Sequence, residues 1–444
     1  MRRVKYISML LFLAVLSISV KAQTPQQYGL KECLSEGLEN NYSLLIVKNK
    51  EQKSSNNVTL GNAGYLPSLD LSAGYSTSID NMTATKDRTT GVESTVHGEF
   101  NHSVNVGLNM SWTIFDGFSV NTNYKRLKEL EMQGKTNTRI VLEDFIAQLT
   151  ASYYNFIQQS IRLKNFKYAM NLSKERLRIV EARYMIGSFS RLDYQQAKVD
   201  FNADSAQYMK QQEKLQSARI SLNELMANMN VEQLIGVVDT NIVVYNDLMF
   251  DELWNATLQT NAELILADQN KTLSELDYKK VKSRNYPYLR LSGGYGYTLN
   301  RYGAGTVERR NNLGFNAGVT LGFNIFDGNR SREHKNARLD IERAELQRQE
   351  LKLALRADFC DLWNAYTNNL ELLNLEKQNV VTAMENMEIA MERYMLGDLS
   401  GIEMREAQKS LLDAEERLLA AEYDTKVCEI SLLQISGKVT RYLE

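Results

Sequence analysis

The chain has 444 residues, of which 24% are charged, and a formal net charge of −2 at pH 7. Phosphate binding needs a concentrated basic face, so this balance argues against a nucleic-acid partner. The cysteines, Cys33, Cys360 and Cys428, lack metal or redox spacing. We expect them to be buried apolar residues. A disulfide between two of them is the alternative in an oxidising compartment.

The N-terminus has the pattern of an export sequence. Basic residues precede an apolar run from Ile7 to about Val20, and Ala22 places a small residue before Gln23. This predicts a secretory signal peptide over residues 1–22, cleaved after Ala22.

One motif occurs twice in the mature chain. Arg-Tyr-Met-aliphatic-Gly covers residues 183–187 and again 393–397, and a short polar break and a new helical pattern follow each copy. Glycine commonly ends a helix in a left-handed turn. Each copy therefore predicts the tip of a long helical hairpin, and we call residues 183–193 the first tip and residues 393–403 the second tip.

The duplication extends beyond the tips. Leu71-Ser72-Ala73-Gly74-Tyr75 recurs as Leu291-Ser292-Gly293-Gly294-Tyr295, and Ile114-Phe115-Asp116-Gly117 recurs as Ile325-Phe326-Asp327-Gly328. This predicts one structural repeat over residues 23–229 and a second over 248–444, each with a helix, two strands, a long helix, a tip and a return helix. Residues 230–247 form an irregular connector between them.

The strands are predicted from alternation of apolar and polar residues. Residues 69–75 and 104–114 alternate in the first repeat, and residues 289–299 and 313–325 do so in the second. We expect two hairpins whose polar connections, about 81–98 and 300–311, lie outside the cell. Strands with apolar residues on one face and small polar residues on the other are typical of a membrane β-barrel. Four strands are too few to close such a barrel, and an open sheet edge does not persist in lipid, so the protein must form oligomers.

The helices are predicted to be unusually long. Residues 27–63 form a first helix, the long helices cover about 118–186 and 329–396, and the return helices cover about 191–229 and 401–437. Apolar residues at spacings of three and four form a coiled-coil seam along each long helix, ending at Tyr184 and Tyr394. The predicted fold is therefore mixed α and β, mainly α.

In combination these motifs resemble the TolC-like outer-membrane efflux protein family over essentially all of the mature chain. The motifs are Asn-x-x-Leu at Asn41 and Asn261, Pro67 and Pro287 before the first strands, Ile-Phe-Asp-Gly after the second strands, and Tyr-x-x-Gly at the tips. The resemblance implies a homotrimer with a 12-stranded barrel in the outer membrane of a Gram-negative bacterium. It also implies a periplasmic α-helical tunnel that meets a periplasmic adaptor and an inner-membrane pump of the RND or ABC type.

The resemblance also assigns roles to the tips. Glu403 and Glu406, joined by Asp193, would line a periplasmic gate, where a ring of carboxylates attracts cations and resists closure. A solvated helix face is the competing interpretation of these acids. The adaptor-docking residues would be those of the two turns, and we expect Phe189 and Leu399 to be exposed there: Gly187, Ser188, Phe189, Ser190, Gly397, Asp398, Leu399 and Ser400.

The sequence contains no nucleophile, phosphate-loop or metal motif, which argues against an enzyme and predicts no cofactor. The leading hypothesis is a passive exit duct of a tripartite efflux system. One alternative is the outer-membrane channel of a type I protein secretion system. Another, from a different class, is a secreted coiled-coil structural protein without a pore.

Overall fold

A computed structural model describes residues 26–303 and 307–443. The predicted signal peptide, residues 1–22, lies outside the described residues.

Helices dominate the chain, and the two longest have the same length of 67 residues. In chain order they are α1 Leu30–Asn40, α2 Tyr42–Asn56, α3 Leu60–Ala63, α4 Ser119–Met185, α5 Arg191–Leu225, α6 Phe250–Thr260, α7 Ala262–Ser283, α8 Arg330–Leu396 and α9 Gly401–Ile435, followed by a 3-10 helix over Val439–Leu443. None of the helices in the described part of the chain has the apolar stretch that a membrane span requires.

The predicted first helix is wrong as one element, because residues 27–63 form strand β1, Gln26–Tyr28, and three helices. Asn41 has an extended backbone between α1 and α2. Its side-chain oxygen accepts a hydrogen bond from Ser43 N at 2.9 Å, and its amide donates to Leu225 O at 3.1 Å. This side chain therefore caps the start of α2, and it also connects the segment between α1 and α2 to the end of α5.

The remaining strands are β2 Ser68–Asp80, β3 Thr83–Lys86, β4 Glu93–Val96, β5 Glu99–Asp116, β6 Ile235–Val237, β7 Tyr288–Arg301 and β8 Arg309–Gly322. Four of them form one antiparallel sheet in the order β2-β5-β7-β8. Both predicted hairpins are confirmed, and β5–β7 pairing joins them. The connector predicted over residues 230–247 contains only β6, which pairs with β1.

The last predicted strand is wrong at its end. Residues 323–325 were included in the alternating pattern, but β8 ends at Gly322 and residues 323–327 have no regular structure. The reason is the partner strand, because β7 begins at Tyr288, which pairs with Gly322. A segment that extends beyond the end of its partner strand has no ladder hydrogen bonds to keep it extended.

The described residues divide into two compact units, and each unit takes segments from both repeats. The first unit comprises residues up to Leu45, Val141–Asn261 and Leu355 onwards, and its core includes Tyr153, Leu222 and Phe359. The second unit, Ile46–Ile140 and Ala262–Ala354, contains the four-stranded sheet. Both tips belong to the first unit.

Candidate functional site

The site begins where α4 and α8 end. Gly187 has φ of 81° and Gly397 has φ of 91°, the left-handed conformation that glycine adopts without steric cost. Just past each glycine, Ser188 N donates to Arg183 O at 2.8 Å and Asp398 N donates to Arg393 O at 2.9 Å. Both helices therefore end in a Schellman motif. The predicted glycine stops are confirmed at both tips.

Each return helix has a reciprocal cap, formed by a serine that lies three residues after the glycine. In the first tip, Asp193 N donates to Ser190 Oγ at 3.1 Å, and Ser190 N donates to Asp193 Oδ2 at 3.0 Å. In the second tip, Glu403 N donates to Ser400 Oγ at 3.3 Å, and Ser400 N donates to Glu403 Oε2 at 3.0 Å. These are capping boxes, which satisfy backbone donors that a helix start leaves unpaired.

The capping boxes bear directly on the predicted gate. Asp193, Glu403 and Glu406 are all exposed. Hydrogen bonds from Ser190 lower the pKa of Asp193, and those from Ser400 lower the pKa of Glu403, because they stabilise the charged forms. Two of the three gate candidates thus have a local structural role at the helix start. The gate itself stays a prediction. The capping role is compatible with it, because a capping carboxylate at an exposed helix end keeps its negative charge.

The two motif tyrosines differ. Tyr394 is 1% exposed and packs in an apolar cluster with Met387, Ala390 and Met404, as the seam prediction required. The same prediction is wrong for Tyr184, which is 37% exposed and stacks on Tyr194 with ring centroids 5.5 Å apart.

The apolar residues that the tips expose are not those the sequence suggested. Phe189 and Leu399 were expected to be exposed, but both are half-buried. Phe189 lies under the guanidinium of Arg183 at 5.3 Å, and Leu399 packs on the cluster around Tyr394. Six other apolar side chains are 56–79% exposed, at equivalent positions around the two glycines: Met185, Ile186 and Leu192 in the first tip, and Met395, Leu396 and Ile402 in the second. We call these six residues the apolar tip set.

The two tips contact each other within one chain. Arg183 in the first tip donates a hydrogen bond to Met395 O in the second at 3.3 Å, and its guanidinium lies 6.0 Å from the Tyr394 ring centroid. A cationic group near the C-terminus of α8 is favoured by the helix dipole. A cavity of about 530 Å³ lies between the tips, lined by side chains from both, including Phe189, Asp193 and Leu399.

A buried polar layer joins α4, α5 and α9. Arg405 makes two hydrogen bonds to Asp204, at 2.6 and 2.7 Å, and Asp204 also accepts from Ser173 and from Gln408. Asp204, Ser173 and Gln408 are buried. On the α4 side, buried Arg176 pairs with Asp200 on α5, and burial lowers the pKa of Arg176. Removing one partner of a buried charged pair is costly, so this layer fixes how the three helices pack.

This architecture can be compared with known proteins. The family model described as outer membrane efflux protein matches residues 33–228 and 253–438, one segment within each predicted repeat. The chain belongs to this outer membrane efflux protein family. The outer membrane protein TolC of Vibrio cholerae is 21% identical over 93% of this chain and 91% of its own length.

Solved structures share the fold of this efflux protein. A membrane protein from Pseudomonas aeruginosa has a TM-score of 0.76 at 16% identity, covering 93% of this chain and 91% of its own. The CmeC outer membrane channel of Campylobacter jejuni has a TM-score of 0.75 at 18% identity, covering 92% and 85%. Family membership places the chain in the outer membrane of a Gram-negative bacterium and gives it an efflux channel role.

The sequence analysis did not predict the capping boxes or the apolar tip set of this efflux protein, although both have a recognisable sequence pattern. Ser190-x-x-Asp193 and Ser400-x-x-Glu403 match the capping-box motif directly. The apolar tip set also repeats at fixed offsets from the two glycines. The Asp204–Arg405 pair has no such pattern, because its members are 201 residues apart and meet only through helix packing.

Proposed function

We propose that this protein is the outer-membrane exit duct of a tripartite efflux system. It acts as a homotrimer, with a long periplasmic portion that meets a periplasmic adaptor and, through it, an inner-membrane pump of the RND or ABC type. The duct conducts its substrates passively and catalyses no reaction.

The apolar tip set is the observation that carries this proposal. Six large apolar side chains are exposed at equivalent positions around the two glycine turns. Exposed apolar groups in a polar surround are characteristic of a protein-interaction surface. Their duplication gives each chain two similar docking positions, and a trimer would present six. Such a ring fits a partner that surrounds the end of the duct.

The sheet supports the oligomer. Both faces of β2 are exposed, and β2 and β8 are the free edges of the four-stranded sheet. Unpaired backbone groups cost several kcal/mol each in hydrocarbon, so the edges need partners in a membrane. Three copies contribute twelve strands, an even number within the range of outer-membrane barrels.

We further propose that Asp193, Glu403 and Glu406 line the periplasmic entrance of the trimer. The two capping boxes fix Asp193 and Glu403 at the starts of α5 and α9, beside the proposed docking surface. Docking at the tips would then act on the carboxylates that surround the entrance.

A channel fits better than a poreless coiled-coil protein, because the chain has four long paired strands and belongs to an efflux family. The type I secretion alternative uses the same architecture, and the partner genes would separate it from small-molecule efflux.

The test is efflux of a fluorescent dye from cells that lack the chromosomal gene and carry a plasmid copy. Replacing Ile186 and Leu396 with Asp puts a charge in each half of the apolar tip set. We expect the double variant to reach the outer membrane as a trimer and to lose dye efflux. The matched control is Met229→Asp, an equally exposed position (84%) outside the tips. Full efflux by the Ile186/Leu396 variant would contradict docking at the tips, and loss of efflux by the control would show that surface charge alone disables the channel.

A further inference from the structure

One face of the four-stranded sheet is apolar along most of its length, and we call it the apolar face. Alternation places Leu108 of β5, Tyr295 of β7 and Phe315 of β8 on it, where they pair in register across the three strands. These side chains are 43–74% exposed. In the proposed duct this face lies against lipid, because apolar residues cover the outside of an outer-membrane barrel.

The apolar face ends in a row of polar side chains at the hairpin end of the sheet, the end away from α4 and α8. Register aligns these side chains, one on each strand in sheet order: Thr77, His102, Arg301 and Arg309. Each is separated from the apolar residues of its own strand by an even number of positions, so it lies on the apolar face. We call these four residues the outer row.

The two arginines of the outer row lie directly opposite each other on β7 and β8. Opposed residues have Cβ atoms about 4.5–5.5 Å apart, and like charges at this position repel. Arg301 donates to Glu308 Oε1 at 3.3 Å, and Arg309 Nε donates to Asn311 Oδ1 at 3.1 Å. These contacts engage one nitrogen of each guanidinium, a group with five N–H donors. Glu308 offsets one of the two charges, and the remaining positive charge favours an anion between the arginines.

His102 continues the row onto β5. Its Nδ1 lies 2.9 Å from the hydroxyl of Tyr75, and the two rings stack with centroids 6.1 Å apart. This contact fixes the orientation of the imidazole ring beside Arg301. One row further out, β2 and β5 are apolar again, since Ile79 pairs with Phe100. The basic end of the apolar face is therefore on β7 and β8.

A groove lies on the same face, further along the strands. Its volume is about 370 Å³, and Gly293 leaves the space between the strands on either side of it. Apolar side chains form most of its lining: Leu69, Leu108, Met110, Leu291, Phe315 and Ala317. Such a lining suits a hydrocarbon chain and offers little to a polar ligand.

The distance from the outer row to the groove corresponds to the depth of one lipid leaflet. Arg301 and Tyr295, which lines the groove, are six positions apart in β7, or about 20 Å along the strand. At a strand tilt of about 35–45° this is about 15 Å of depth, half of the ~30 Å hydrocarbon core. An acyl chain whose headgroup lies at the outer row would therefore end in the groove.

We propose that the outer row and the groove together bind one phosphorylated glycolipid of the outer leaflet, of the lipid A type. A phosphate bridges Arg301 and Arg309, because a guanidinium matches phosphate geometry and its charge-assisted hydrogen bonds are strong. The phosphate replaces the repulsion between the arginines with two attractive contacts. An acyl chain of the same lipid follows the apolar face into the groove. This site rests on the proposed function, because it requires the sheet to lie in the outer membrane.

Native mass spectrometry of the delipidated full-length protein in detergent tests the site, with bis-phosphorylated lipid A as the probe. Arg301→Ala with Arg309→Ala should weaken lipid A binding at least about tenfold, because two charged donors are lost. The matched control is Arg290→Ala with Arg310→Ala, which removes two exposed arginines from the other face of the same strands. It should bind lipid A as the unmodified protein does. Equal loss in the two variants, or no loss in the first, overturns the site.

Two single variants examine the headgroup and the chain separately. Glu308→Gln removes the carboxylate that competes for Arg301, so it should tighten lipid A binding several-fold. Gly293→Val fills the groove and should weaken binding several-fold. The sheet tolerates this change, because a Cβ at position 293 meets Met110 Cε at 3.5 Å, an ordinary contact. Unchanged affinity in Gly293→Val overturns the placement of the chain, and unchanged affinity in Glu308→Gln counts against a phosphate at Arg301.

Two further probes identify the source of the phosphate. Lipid A without its phosphates should bind the unmodified protein at least about tenfold more weakly, and equal binding overturns the phosphate contact. Inorganic phosphate at the same concentration should leave lipid A bound, and full displacement would assign the arginines to free phosphate instead of lipid. The same spectra report the mass of the assembly. A monomer contradicts the proposed homotrimer, whereas the lipid site lies within one chain and is judged by the affinities alone.

Discussion

The two tips show how one local sequence produces one backbone but two environments. Both contain Arg-Tyr-Met-aliphatic-Gly, both end a 67-residue helix at a left-handed glycine, and both start the next helix with a capping box. Yet Tyr394 is buried and Tyr184 is exposed. The difference arises from the neighbours, since Tyr394 packs in an apolar cluster with Met404 and Met387, whereas Tyr184 stacks on the ring of Tyr194 on its own hairpin.

This comparison teaches that backbone conformation at the tips is set within about ten residues, whereas burial is set by which helices pack together. The second tip is therefore the better anchored of the two. Four experiments would break or sharpen that contrast.

The largest effect is expected from the motif tyrosines. Tyr394→Ala should lower the free energy of local opening of α8 and α9 by about 3–5 kcal/mol, because it removes a fully buried aromatic ring. Tyr184→Ala should cost less than about 1 kcal/mol, because its ring is already partly hydrated. Hydrogen exchange at the amides of the helix ends measures both.

Tyr394→Phe is the matched control. Within the described part of the chain the buried Tyr394 hydroxyl has no hydrogen-bond partner, so its removal should be neutral or stabilising. Equal losses for the two alanine variants would show that the tips do not differ in packing.

The second contrast is between two ion pairs behind the tips. Asp204→Ala should destabilise helix packing by about 3 kcal/mol, because it leaves Arg405 and Gln408 without their shared buried acceptor. Glu376→Ala should cost about 1 kcal/mol, because its partner Arg417 is 54% exposed and can be hydrated. Chemical denaturation of the detergent-solubilised protein, followed by helix content, compares them.

The double variant Asp204→Leu with Arg405→Met tests whether the ion pair itself stabilises the helix packing or whether apolar side chains of similar size can replace it. It replaces the pair with apolar side chains, so it should recover most of the stability lost by Asp204→Ala. No recovery would mean that this layer contributes specific hydrogen bonds that packing cannot replace.

The third experiment concerns the proposed gate. Glu403→Gln with Glu406→Gln should raise single-channel conductance several-fold in a planar bilayer and weaken cation selectivity, because it neutralises two of the three carboxylates that each copy places at the entrance. Gln at position 403 can keep the capping box, so charge changes while the helix start does not. Ser400→Ala is the control that disrupts the cap and keeps the charge. An unchanged current in the double Gln variant would end the gate assignment.

The pH dependence of the same current has a defined sign. The pKa values of Asp193 and Glu403 are lowered by their caps, so these carboxylates stay charged until the pH falls below the ordinary carboxyl range of about 4. Below that pH these two carboxylates become neutral, and we expect the conductance of the unmodified channel to rise there. In Ser400→Ala the pKa of Glu403 should return towards its ordinary value, because the hydrogen bond from the serine hydroxyl is lost. The rise in conductance should therefore begin at a higher pH.

The smallest effect is expected from the caps, where the tips should behave alike. Ser190→Ala and Ser400→Ala should each cost about 1 kcal/mol of helix stability, the usual value of an N-cap hydroxyl. Because the folded pKa values of Asp193 and Glu403 are lowered, the carboxylates stabilise the helix starts above the unfolded pKa. That contribution is lost as pH falls through the folded pKa. Hydrogen exchange at α5 and α9 across a pH series checks both, and a large difference between the two serines would contradict equal caps.

Much of the fold could be predicted from periodicity and duplication. The long helices were predicted over 118–186 and 329–396 and occur at Ser119–Met185 and Arg330–Leu396. The glycine stops and the alternation of the strands also follow from local pattern. These features depend on residues close together in sequence, whose conformational preferences persist whatever surrounds them.

The sequence by itself determined the repeats, the helix ends at Gly187 and Gly397, and the alternation of the strands. Only the tertiary structure decided that Tyr394 is buried and Tyr184 is not, that Phe189 and Leu399 are covered, and that Asp204 meets Arg405. It also decided that residues 323–327, which share Ile-Phe-Asp-Gly with the end of β5, are not a strand. The physical reason is the same in each case: burial and strand pairing need partners distant in the chain, and identical segments acquire different partners.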